Sequence, residues 1–178
     1  MLSLEEKQKL LCIARQVIVR EVGGGDEVLC DDPALQVPCG VFVTLMKDGE
    51  LRGCIGNPHA TMSLVGQVAR AAEGAALRDP RFSAVVLEEV DAIEIEVSVL
   101  SPMSELRSSS DIEIGRHGLY VKRELWSGLL LPKVAERFAW DGETFLNQVC
   151  RKAGLAEDAW REEDTQVWTF EAEVFGED

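Results

Sequence analysis

The stretch VFVTLMK-DG-ELRGCIG, residues 41–56, restricts the fold more than any other part of the chain. Two strand-like runs flank Asp48-Gly49, a dipeptide that tolerates the positive φ angles of a type I′ turn. A two-residue turn fixes the register. It sets Lys47 opposite Glu50, Leu45 opposite Arg52 and Val43 opposite Cys54. Strand side chains alternate, so Arg52 and Cys54 are expected on one face with Val43 and Leu45. Leu51 and Ile55 are expected on the other, with Phe42 and Met46.

Around this hairpin the pattern changes period several times. Ser3 and Glu6 form a capping box, and Leu10, Ile13, Ala14, Val17 and Ile18 recur at helical spacing as far as Gly23-Gly24-Gly25. Asp31-Asp32-Pro33 and Pro38 mark an irregular segment. Ser63 caps a helix running to about Leu77, with Leu64, Val68, Ala71, Ala72 and Ala75 on its apolar side. Residues 92–100 alternate as a half-buried strand does, with Ile93, Ile95, Val97 and Val99 on one face and Glu94, Glu96 and Ser98 on the other.

Residues 111–122 read as strand, turn and strand. Pro132 opens a helix that buries Val134, Ala135 and Phe138. Asp141 caps another, with Phe145, Leu146 and Val149 inside and Gly154 at its end. A closing strand turns Trp168, Phe170, Ala172 and Val174 inward. Irregular alternation around a tight hairpin predicts an α+β chain with largely antiparallel sheets flanked by helices. With 178 residues, one domain of two lobes is expected.

Thirty-two acidic against 18 basic residues give a net charge of −14. That charge repels phosphate backbones and anionic bilayers, so neither nucleic acid nor membrane is an expected partner. No apolar run approaches the roughly 18 residues of a membrane span. The N-terminal stretch reads as a helix start, not a signal peptide. Five cysteines without paired spacing point to free thiols in a reducing cytoplasm.

Chemistry concentrates at LRGCIG. A thiolate is the reactive form of cysteine, and a cation nearby favours it. Cys54 is therefore a candidate nucleophile or redox thiol, with Arg52 as its cation. Gly53 and Gly56 permit close approach by a ligand or by another backbone. The alternative for Cys54 is plain packing, since free cysteine is commonly buried.

Glu94, with Glu96, offers carboxylates on one strand face, and His117 offers an imidazole. No spacing of His and Cys marks a metal site. Phosphate-loop, dinucleotide, nucleophile-elbow and radical iron–sulfur motifs are all absent. The chain is thus expected to carry no cofactor of its own.

GVFVTLMKDGELRGCIG, DPRF, IEIEVSVL, HGLYV and LLLPKVAERFAWDGETFLNQVCRKAGL, in this order, resemble the AMMECR family. Its prokaryotic members are also called AmmeMemoRadiSam system protein A. The resemblance runs from about Pro38 to Phe175. It implies two unequal α+β lobes, the larger built from both termini and the smaller from the middle of the chain, with the LRGCIG strand at a cleft.

All six positions of that motif match: Leu51, Arg52, Gly53, Cys54, Ile55 and Gly56. Asn57 stands where some members have an aromatic residue. Asp79-Pro80-Arg81-Phe82 matches a second block expected near the same cleft. The family's activity is not established. Its prokaryotic genes often accompany those of a Memo-like protein and a radical S-adenosylmethionine protein, which the resemblance names as partners. A small molecule or peptide would occupy the cleft, in an enzyme component or in a non-catalytic adaptor.

Overall fold

The computed structural model describes residues 1–25, 30 and 32–177. Asp31 of the expected irregular segment lies outside the described residues. The chain divides into two units, Met1–Leu100 with the C-terminal stretch from Glu173, and Ser101–Ala172. Each has its own sheet and its own core.

The first unit begins with α1 (Leu4–Gly23), whose capping box at Ser3 and Glu6 closes as expected. A single 3-10 turn, Pro33–Gln36, follows, with the Asp32 carboxylate accepting the Ala34 N–H. Strands β1 (Gly40–Lys47) and β2 (Glu50–Asn57) form the hairpin, then come α2 (Leu64–Leu77) and β3 (Ile93–Leu100). The last strand of the chain, β8 (Ala172–Gly176), completes the order β2-β1-β3-β8.

The inward residues of α1 and α2 pack on Val41, Val43, Leu45, Ile93, Ile95 and Val97, all buried. Helical spacing and strand alternation thus meet in one apolar layer. Ser63 caps α2 by accepting the Gly66 N–H.

In the second unit the order is β4-β7-β5-β6, built from β4 (Ser104–Glu105), β5 (Gly118–Arg123), β6 (Trp126–Leu130) and β7 (Gln166–Phe170). Helices α3 (Pro132–Arg137) and α4 (Gly142–Lys152) lie between β6 and β7 in sequence. Asp141 caps α4 by accepting the Thr144 N–H at 2.8 Å, and Phe145, Leu146 and Val149 are buried, as expected.

Four expectations need correction. No strand covers residues 111–114, because a 3-10 turn at Ser109–Asp111 and a loop bring the chain to β5. Phe138 is exposed; its ring stacks on Trp140 with 5.0 Å between centroids. The expected closing strand is two strands in different sheets. Glu171 breaks it by exchanging hydrogen bonds with Ser101, at both its N–H and its carbonyl. Strand β6 had no sequence signal, since its turn is Glu124-Leu125 with Glu124 at φ 52°.

The fourth correction bears on the site. Asp48 and Gly49 take φ angles of 53° and 77°, as the type I′ turn requires, and Lys47 faces Glu50. Beyond that the register slips. Met46 faces Leu51, Leu45 faces Gly53, Thr44 faces Cys54 and Val43 faces Ile55. Arg52 is the extra residue of a β-bulge, so every later side chain of β2 changes face. Cys54 lies with Thr44, not with Val43 and Leu45. Ile55 lies on the core face with Val43, not with Phe42 and Met46.

Candidate functional site

Arg52 turns away from the ladder toward residues 83–89. Its Nη1 donates to the Ser83 carbonyl at 2.9 Å and Nη2 to the Ala84 carbonyl at 3.3 Å. Nη2 and Nε also grip Glu89, at 2.6 and 3.2 Å, and Lys47 reaches the same carboxylate at 2.9 Å. Arg52 and Glu89 are 14% and 13% exposed. The guanidinium, followed by Lys47, holds the Glu89 carboxyl down at about 2. Arg52 is thus engaged in a lock between β2 and the segment before β3, not beside the thiol.

Gly53 and Gly56 serve close approach by protein. A Cβ at Gly53 would lie 2.2 Å from the Ala75 carbonyl oxygen of α2. One at Gly56 would lie 2.3 Å from the Val41 carbonyl oxygen and 2.4 Å from the Phe42 ring. Ile55 packs against Gly74 of α2, where a Cβ would come within 2.9 Å of its Cγ2. Leu51 is exposed near the hairpin turn.

Cys54 is half-buried, and its backbone is held from outside the sheet. Strand β2 is an edge strand. The Cys54 N–H donates to Asp79 Oδ2 at 2.9 Å, and its carbonyl accepts from Arg81 Nη2 at 3.3 Å. Asp79 is 5% exposed and also accepts from the Arg81 backbone N–H and guanidinium. That guanidinium holds the Asp79 carboxyl well below the usual carboxylate range. The DPRF block therefore closes the sheet edge at Cys54, a position that would otherwise offer free backbone groups.

On the sheet face away from α2, Thr44 Oγ1 donates to Cys54 Sγ at 3.3 Å. Glu96 stands opposite Thr44 on β3, so Cys54, Thr44 and Glu96 form one row across three strands. Leu51, Met46 and Glu94 form the next. Glu94 is exposed on the same face as the thiol. His117 belongs to the second unit, where its Nδ1 accepts the Glu113 N–H at 3.1 Å.

The structure thus gathers Cys54, Asp79 and Arg81, aligns Glu94 and Glu96 on the thiol's face, and gives Arg52 a different partner. Sequence reasoning missed Thr44 and Glu89. Thr44 was readable as the cross-strand neighbour of Cys54 only with the bulge in hand. Glu89, 37 positions from Arg52, left no local signal.

The AMMECR1 family model matches residues 11–175. The chain belongs to the AMMECR1 family. Among its AMMECR1 relatives, a protein of Methanothermobacter thermautotrophicus is 43% identical, covering 99% of this chain and 97% of its own. Protein MK0488 of Methanopyrus kandleri is 44% identical, covering 99% and 91%. The crystal structure of the uncharacterised protein PH0010 from Pyrococcus horikoshii superposes with a TM-score of 0.86 at 42% identity, over 95% of this chain and 90% of that one. The AMMECR1 fold is therefore α+β with two antiparallel sheets flanked by helices. None of its described helices is long and apolar enough to cross a membrane.

Proposed function

We propose that the chain is the thiol-bearing component of a cytoplasmic modification or redox pathway, with Cys54 as nucleophile or redox thiol toward a small molecule or peptide. One observation carries this reading. Cys54 is the motif residue whose backbone is clamped on its outer side while its side chain stays partly open, beneath a hydroxyl that donates to the sulfur. Arg81, at the Cys54 carbonyl, replaces Arg52 as the supporting cation, and Glu96 or Glu94 is the base on the same face.

The Memo-like protein and the radical S-adenosylmethionine protein enter as partners through the family likeness, and they would hold the cofactors. A non-catalytic adaptor would draw on the Arg52 guanidinium as an anchor for a partner's carboxylate, and the lock with Glu89 already engages that group.

The test is iodoacetamide alkylation of the folded protein, followed cysteine by cysteine with mass spectrometry. Burial pushes the Cys39 and Cys150 thiols up, and these should react slowly. Cys54 should outpace them both and exceed the exposed Cys12 near neutral pH. A Cys54 as slow as Cys150 would sink the proposal.

A further inference from the structure

Beyond the thiol, the second half of β2 borders an open groove of about 1110 Å³. Ile55 and Gly56 line it from the strand, Arg20 from α1, Gln67 and Arg70 from α2, and Arg78 from just beyond α2. Three guanidiniums along one groove stand out in a chain of net charge −14. Arg20 pairs with Glu21, and Arg78 pairs with Glu73, the one carboxylate lining the groove among the described residues. Arg70 has no partner among the described residues and is exposed. The groove therefore offers a guanidinium fork that suits a carboxylate.

A second, independent feature lies in the backbone. In an antiparallel edge strand, alternate residues turn both N–H and carbonyl away from the neighbour. Cys54 does so, and Asp79 and Arg81 take its groups. Gly56, two positions on, faces the same way. Neither its N–H nor its carbonyl has a hydrogen-bond partner among the described residues. The edge of β2 is thus closed at Cys54 and open at Gly56, where the groove begins.

We infer that this groove binds a short extended peptide segment carrying an acidic side chain. One peptide unit of the segment pairs with the Gly56 N–H and carbonyl, as in strand addition, and its carboxylate takes Arg70. The Asp79–Arg81 clamp stops the incoming strand before Cys54, which keeps the paired stretch short. This proposal does not depend on any chemistry at Cys54.

Amide and arginine Nε signals in a 15N-labelled sample report both contacts. The probe is N-acetyl-Ala-Glu-Ala-N-methylamide, with the Ala-Gln-Ala analogue and inorganic phosphate as controls. The glutamate peptide should shift the Gly56 and Asn57 amides and the Arg70 Nε–H together, with a dissociation constant on the order of 1 mM. Arg70→Ala and the glutamine analogue should each weaken binding about tenfold, and Cys54→Ser should leave it unchanged. The inference is overturned if the two peptides bind equally, or if Arg70→Ala has no effect. It is also overturned if the shifts fall elsewhere or do not occur, or if phosphate moves Arg70 as strongly as the peptide does while Gly56 stays still.

Discussion

Arg52 donates to a carboxylate and two carbonyls while being 14% exposed, so its loss leaves Glu89 partly buried with Lys47 as its remaining cation. Removing one member of such a pair is costly. Arg52→Ala should lower unfolding free energy by about 3 kcal/mol in urea titration, while leaving Cys54 alkylation within about twofold, since the two side chains do not meet. The lock is also sensitive to acid. Glu89 titrates at about 2 in the folded chain, against about 4.3 when unfolded. Its stabilisation is therefore complete above the unfolded value and lost as pH falls toward the folded one. The stability gap between the native chain and Glu89→Gln should be full at neutral pH and shrink as pH drops from about 4 toward 2. A gap that stays constant over that range would assign the stabilisation elsewhere. Gly53→Ala is a steric test, because its Cβ would sit 2.2 Å from a helix carbonyl oxygen. A loss of about 2 kcal/mol or more is expected, again by urea titration.

Among the elements, the hairpin shows what a sequence can reveal and where it stops. The Asp48-Gly49 turn is local chemistry, and it forms with the φ angles that its residues permit. The bulge three positions later is not local. Arg52 leaves the ladder to meet Glu89 and two carbonyls beyond α2, a partnership invisible to alternation. The same holds for the split of the last strand at Glu171, which depends on Ser101. Helices α1, α2 and α4 were readable because cap and periodicity are both local. Leu51, Gly53, Cys54 and Gly56 stand out in the sequence as one stretch, but what each residue contacts depends on α2 and the DPRF segment. That dependence is testable. Asp79→Ala removes the acceptor of the Cys54 N–H, so hydrogen exchange at that amide should accelerate more than tenfold. Stability should fall by about 2 kcal/mol. Unchanged exchange would mean that the clamp does not hold the strand edge in solution.

At the scale of the whole chain, the C-terminal stretch belongs to the first unit although the residues before it belong to the second. Strand β8 lies beside β3, and Glu177 accepts from the Arg15 guanidinium and the Ile95 N–H. Arg15 in turn donates to the Val90 and Ile93 carbonyls, so one arginine of α1 ties the chain end to the entry of β3. Removing the chain from Ala172 onward would turn β3 into an edge strand and leave Arg15 without its carboxylate. All four tryptophans, Trp126, Trp140, Trp160 and Trp168, lie in the second unit, whereas α1 and α2, the two longest helices, lie in the first. Tryptophan fluorescence therefore follows one unit, and helical circular dichroism is weighted toward the other. The truncation should lower the thermal midpoint seen by circular dichroism by about 10 °C, from a loss of roughly 2 kcal/mol in a unit of about 100 residues. The fluorescence midpoint should move much less. If both probes fall together by the same amount, the two units unfold as one cooperative body, and the C-terminal stretch stabilises the whole chain rather than the first unit alone.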